Sequence, residues 1–262
     1  MERKPVITAV ALLLCWSVAA PAALAWQVDS SVASLVGAAN QLRGALKDRE
    51  ALDQYLKVLA IEPDHFEALS AAAYLYGKVG SHLERREEQE DYFGEAVILA
   101  ERALEQAPDH PESNFVMAWA YGAVAMISTG REKIEAGKHV YDYVNRVLEQ
   151  REDDDRAWYV LGNLNYEAAG ASVLEKAAAR ILYGGLPPNL TNRNAIQAYS
   201  RAVELRPGSI LYRFELARVL ARLGRYKAAR EHLDHALSLD PLVEGDDSLL
   251  EQCSKLRKKL RG

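Results

Sequence analysis

The chain has 262 residues, is 49% hydrophobic and 26% charged, and carries a net charge of -5 with a pI of about 5.8. That composition supplies a core of ordinary size. It excludes the overall basic excess that holds a protein on nucleic acid, and with only Cys15 and Cys253 it excludes a disulfide-rich scaffold.

Arg3 and Lys4 precede an apolar run from Val6 to Ala20, and Ala23-Leu24-Ala25 stands just before Trp26. A positive start, a short apolar centre and a small-residue site predict a secretory signal peptide over residues 1–25. Cleavage after Ala25 would make the protein exported and periplasmic, with no stable membrane span. Leu14 sits before Cys15 where lipidation wants a small residue, which argues against a lipid anchor. Loss of Cys15 would leave Cys253 alone, so stability is expected from packing.

Repeats organise the rest. Ala195, Tyr199, Ala202 and Pro207 each stand thirty-four residues before Ala229, Leu233, Ala236 and Pro241. The same spacing recurs at Ala51, Tyr55, Val58 and Pro63, at Ala96, Ala100, Ala103 and Pro108, and without the proline at Val140, Val144, Val147 and Glu152. Residues four and then three apart share one helix face. Small side chains there let a neighbouring helix approach, and the proline ends the helix. An upstream partner carries Leu216, Ala217 and Leu220 before Gly224, or Trp158, Leu161 and Gly162, so each unit is a helical hairpin. The units predicted are 32–65, 66–110, 111–154, 155–209 and 210–243, the three middle ones longer than thirty-four residues. Residues 246–260 begin with aspartates and end with Lys and Arg, as a capping helix should.

This pattern resembles the tetratricopeptide repeat (TPR), which implies an all-α solenoid of about five hairpins. Residues Ala157 to Tyr212 are similar to the regulator-of-microtubule-dynamics family in four successive pieces. These are Gly162 to Glu167, an amphipathic helix from Val173 to Tyr183, a loop from Gly184 to Pro188, and a helix from Ala195 to Gly208. The likeness extends over roughly residues 50–243 and implies one helical TPR-like domain over residues 26–262.

Motifs for chemistry are sparse. His232 and His235 are one turn apart, but Ala229, Leu233 and Ala236 define the packed face and turn both histidines away from it. Glu152 to Asp155 lacks the alternation of a calcium loop and reads as a helix N-cap before Trp158. Cys253 lies on an apolar stripe and reads as a buried thiol. No phosphate-binding glycine loop or nucleophile elbow is present, so neither a cofactor nor a catalytic residue is expected.

The concave face is the remaining candidate. The fifth residues of the last four units are Ser70, Phe115, Tyr159 and Phe214, and the ninth are Tyr74, Trp119, Asn163 and Arg218. With Lys78, Glu167 and Arg222 they form an inward stripe of aromatics and fixed charges suited to a protein or peptide partner. Arg218 and Arg222 are spaced to clamp a carboxylate. Two other readings stay open. The long middle units could fold over this face and make the aromatics core. Alternatively, the 168–192 insert could roof a small-molecule pocket over Tyr74, Trp119, Tyr159 and Arg218, as in an accessory protein of a solute transporter. A metal-dependent enzyme would rest on His232 and His235 alone.

Overall fold

The three-and-four spacing marks buried stripes. Ala51, Tyr55 and Val58, Ala96, Ala100 and Ala103, Val140, Val144 and Val147, Ala195, Tyr199 and Ala202, and Ala229, Leu233 and Ala236 are all buried. The structure, a computed structural model, describes residues 19–243 and 245–260, with side chains from residue 31 onward. Among the described residues it consists of twelve α-helices and no strand, the all-α solenoid expected from the sequence.

Four antiparallel pairs follow one another: α1 (Ala19–Gly44) with α2 (Asp48–Ile61), α3 (Phe66–Gly80) with α4 (Arg86–Gln106), α5 (Pro111–Ile127) with α6 (Gly130–Gln150), and α7 (Asp155–Gly170) with α9 (Asn192–Leu205). A short helix, α8 (Val173–Tyr183), interrupts the last of these pairs and rests on α6. Then come α10 (Ile210–Arg222) with α11 (Tyr226–Ala236), and α12 (Asp246–Lys259) closes the end against both. The start of the expected signal peptide and most of its apolar run lie outside the described residues, and the α1 backbone runs unbroken past Ala25.

Local chemistry sets the helix ends. Asp154 accepts hydrogen bonds from the amides of Arg156 and Ala157, both at 3.1 Å, and so caps α7. Thr191 and Ser209 cap α9 and α10. His65 and His110, which follow Pro-Asp turns, accept from the amides of Ala68 and Glu112 through Nδ1 and thereby cap α3 and α5. Gly224 adopts φ +72° just after α10, a left-handed stop that glycine takes without strain.

Glycine also sets how closely helices approach. A Cβ on Gly162 would lie 2.6 Å from ring carbons of Tyr199, and one on Gly77 would lie 2.5 Å from Trp119 Nε1. Each ring therefore fills a notch that a methyl group would occupy. Buried residues form two clusters. One runs from α1 to the first turns of α7, through Ala157 and Val160, and the other from Tyr166 of α7 to Cys253 of α12. Tyr159 packs against both.

Candidate partner-binding cavity

The first helices of the pairs lie side by side, α3 on α5 and α5 on α7, and this stacking decides the fate of the inward stripe. Its fifth-residue row is largely closed. Phe115 is 1% exposed, Ser70 3% and Phe214 7%, because the adjacent helix covers each of them. The expectation that Phe115 and Phe214 present open aromatic faces is corrected: both are core. The ninth-residue row, Tyr74, Trp119, Asn163 and Arg218, is half-buried. Tyr74 and Trp119 pack with ring centres 5.0 Å apart, and Trp119 Nε1 donates to the Tyr74 carbonyl at 3.0 Å.

Toward the C-terminal end the polar candidates Asn163, Arg218 and Arg222 are engaged by neighbouring residues of the fold. Tyr199 donates to Asn163 Oδ1 at 2.5 Å, and Tyr212 donates to Asp155 Oδ2 at 2.7 Å. Burial raises the pKa values of Tyr159, Tyr199 and Tyr212, so these hydroxyls stay protonated and serve as donors. Arg218 holds both carboxylate oxygens of Glu215, at 2.9 and 2.8 Å, and its guanidinium stands 5.0 Å from the Tyr166 ring centre. Burial pushes the Glu215 carboxyl upward while Arg218 pulls it down. Arg222 lies 3.4 Å over the same ring and donates to the Tyr166 carbonyl at 2.9 Å. The expected Arg218–Arg222 clamp is thus engaged inside the protein, on Glu215 and on the end of α7. Glu167 is exposed beside it.

The open space lies toward the N-terminal pairs. A cavity of about 640 Å³ is bounded by α1, α2, α3, the start of α5 and α7, and the turns that carry Arg151, Arg206 and Val243. Two of the expected residues, Tyr74 and Lys78, line it. No residue of the 168–192 insert does, and the insert lies on α6, so it builds no roof over Tyr74, Trp119, Tyr159 and Arg218.

Charge dominates the cavity wall. Five cations, Arg43, Lys78, Arg151, Arg156 and Arg206, face three carboxylates, Asp48, Glu67 and Glu112. Three of the cations are held. Lys78 meets Asp48 at 2.5 Å, Arg206 meets Asp155 at 3.0 Å, and Arg156 grips Glu112 in a fork at 3.0 and 2.7 Å. Burial opposes the Arg156 charge, but Glu112 and Asp154 outweigh it and raise its pKa. Among the described residues, Arg43 and Arg151 have no carboxylate partner; Arg43 sits 5.9 Å from the Tyr74 ring centre, and the Tyr55 hydroxyl donates to Asn40 Oδ1 at 2.7 Å. The buried Ser70 hydroxyl has no hydrogen-bond partner among the described residues, although such groups are almost always satisfied.

The other residues singled out for chemistry are Cys253 and the His232–His235 pair. Burial pushes the Cys253 thiol up to about 11, which keeps it from acting as a nucleophile near neutral pH. Burial, then the neighbouring Arg213, lowers the His232 pKa. Among the described residues, no three His, Cys, Asp or Glu side chains gather as metal ligands, and no helix is long and apolar enough to cross a membrane.

The stacked hairpins, the alanine stripes and the ring-in-glycine notches define a TPR-like helical-repeat protein. A thermophilic TPR protein of Thermus thermophilus superposes with a TM-score of 0.63 at 16% identity, over 86% of this chain and 97% of that one. The chain belongs to the family described as regulator of microtubule dynamics protein 1-3, which matches residues 35–261. It is similar to regulator of microtubule dynamics protein 3 of Xenopus laevis, 25% identical over 222 residues, covering 84% of this chain and 48% of the relative. The rat protein of that name is 27% identical over 181 residues, covering 69% of this chain and 38% of the relative. The chain therefore spans about half or less of the length of these relatives. The family overturns the expected exported, periplasmic location: these relatives come from eukaryotes, whose cells have no periplasm.

Proposed function

We propose that this chain is a non-enzymatic scaffold that binds an acidic segment of another protein in the cavity between α1, α3 and α5. One observation carries the reading: on a chain of net charge -5, a recess of about 640 Å³ is lined by five cations and three carboxylates, and among the described residues Arg43 and Arg151 have no carboxylate partner. An acidic partner would meet those two guanidinium groups, with the Tyr74 ring beside Arg43. Phe115 and Trp119 act from behind, by holding Tyr74 in place.

The test is fluorescence anisotropy with a labelled Glu- and Tyr-rich peptide and its Lys-for-Glu counterpart. The acidic peptide is expected to bind and to weaken with salt, and Arg43→Glu with Arg151→Glu should cost it about tenfold in affinity. Equal binding of both peptides, or no effect of the double substitution, would reject the reading. The relatives' name, regulator of microtubule dynamics, points to the microtubule as one candidate partner. Co-pelleting with polymerised tubulin, wild type against the same double variant, tests that partner directly.

A further inference from the structure

The helix α8 is built the wrong way round for a core element. At about 100° per residue, Val173, Leu174, Ala177, Ala178, Ile181 and Leu182 fall within one half of its circumference. The other half carries Glu175, Lys176, Ala179, Arg180 and Tyr183. Ala179 and Tyr183 alone in this helix are partly covered, so the polar half faces the protein and the apolar half faces away. Val173 is 86% exposed, Leu174 80%, Ile181 81% and Leu182 65%.

This orientation is held at both ends. Ser172 and Glu175 form a reciprocal capping box at the start. At the other end Gly184 turns left-handed at φ +74°, and Lys138 of α6 donates to the Tyr183 carbonyl at 2.9 Å. Leu186 then plugs against Gly137 of α6, where a Cβ would come within 2.7 Å of its methyl. An exposed face of four large apolar side chains on a fixed helix is not left to chance packing.

Charge and shape indicate what covers it. Residues 171–194 hold Lys176, Arg180 and Arg193 against Glu175 alone, a basic patch on an acidic chain. Arg180 and then Lys176 border one edge of the apolar half, and Glu175 borders the other. No residue of α8 is buried, so the helix stands as a ridge and offers no groove for a partner helix to enter. A ridge with an apolar crest and one basic edge, on a segment of net positive charge, fits a fluid, anionic interface, into which such a helix sinks by about 5–10 Å while lying in its plane.

We propose that α8 is a membrane-surface helix that docks the protein on an anionic lipid bilayer, with Val173, Leu174, Ile181 and Leu182 inserted. The site lies on the α6 side and shares no residue with the acidic-partner cavity. The experiment is flotation of the full chain with vesicles of phosphatidylcholine, alone or mixed with phosphatidylserine. The protein should float with the mixed vesicles and not with the neutral ones. Ile181→Glu with Leu182→Glu should weaken that binding at least about tenfold. Lys176→Gln with Arg180→Gln should weaken it less and remove much of its salt dependence. Circular dichroism melting should be unchanged in both variants, because the altered side chains are exposed. Failure of the wild type to float with the mixed vesicles, or equal flotation of the Glu variant, overturns the proposal. So does a wild-type dimer that the Glu variant dissolves, which would give the face to a second copy of the chain.

Discussion

The helices α8 and α9 follow one another in the chain, and each divides into an apolar and a polar half. Their fates are opposite. In α9 the residues Ala195, Ala198, Tyr199, Ala202 and Val203 are all buried, while α8 buries nothing. The difference lies outside both helices. α9 continues the thirty-four-residue spacing and meets α7 at Gly162, whose missing side chain admits the Tyr199 ring. α8 occupies length that the repeat does not use and rests mainly on the flank of α6, with Lys176 donating to the Ala169 carbonyl of α7 at 3.1 Å. Periodicity marks a face; a complementary notch decides whether that face becomes core.

Substitutions can break this contrast in order of size. Tyr199→Ala removes a fully buried ring from α9 and should cost about 3–5 kcal/mol in chemical denaturation. Gly162→Ala attacks the same contact from α7. Alanine normally favours a helix, yet here its methyl would overlap a ring with no room to move, so a net loss of about 1–3 kcal/mol is expected. A stabilised protein would show that Tyr199 can repack. Tyr199→Phe keeps the packing and deletes only the hydrogen bond to Asn163, at a cost of about 0.5–1.5 kcal/mol. At the other extreme, Ile181→Ala on α8 should stay within about 0.5 kcal/mol of the wild type. A loss as large as that of Gly162→Ala would mean that the α8 crest is covered by the protein's own chain.

The fold was legible in the sequence because its signal is steric and repeats. The alanine stripes, the turn prolines and Gly224 report helix faces and helix ends, and the structure uses them so. The cavity was harder to read. Sequence reasoning followed the fifth and ninth residues of each unit, and stacking of the first helices buried much of that row. The charged wall comes instead from helix ends. Glu67, Glu112 and Arg156 are the second residues of α3, α5 and α7, and Arg151 and Arg206 directly follow α6 and α9. That recurrence was visible, but charges at helix ends pass as ordinary surface until the superhelix turns them inward. The histidine caps escaped for a similar reason, since Asp64 and Asp109 beside them are the more usual capping residues.

The shared position of α7 between the two buried clusters has a kinetic meaning. In a solenoid each helix is guarded mainly by its neighbours, so opening starts at the ends and works inward. Ala157 and Val160 tie α7 to the N-terminal cluster, and Tyr166 ties it to the C-terminal one. When either flank opens, the other still clasps this helix. Its amide protons should therefore be the last to exchange with heavy water, with protection falling away toward α2 in one direction and α12 in the other.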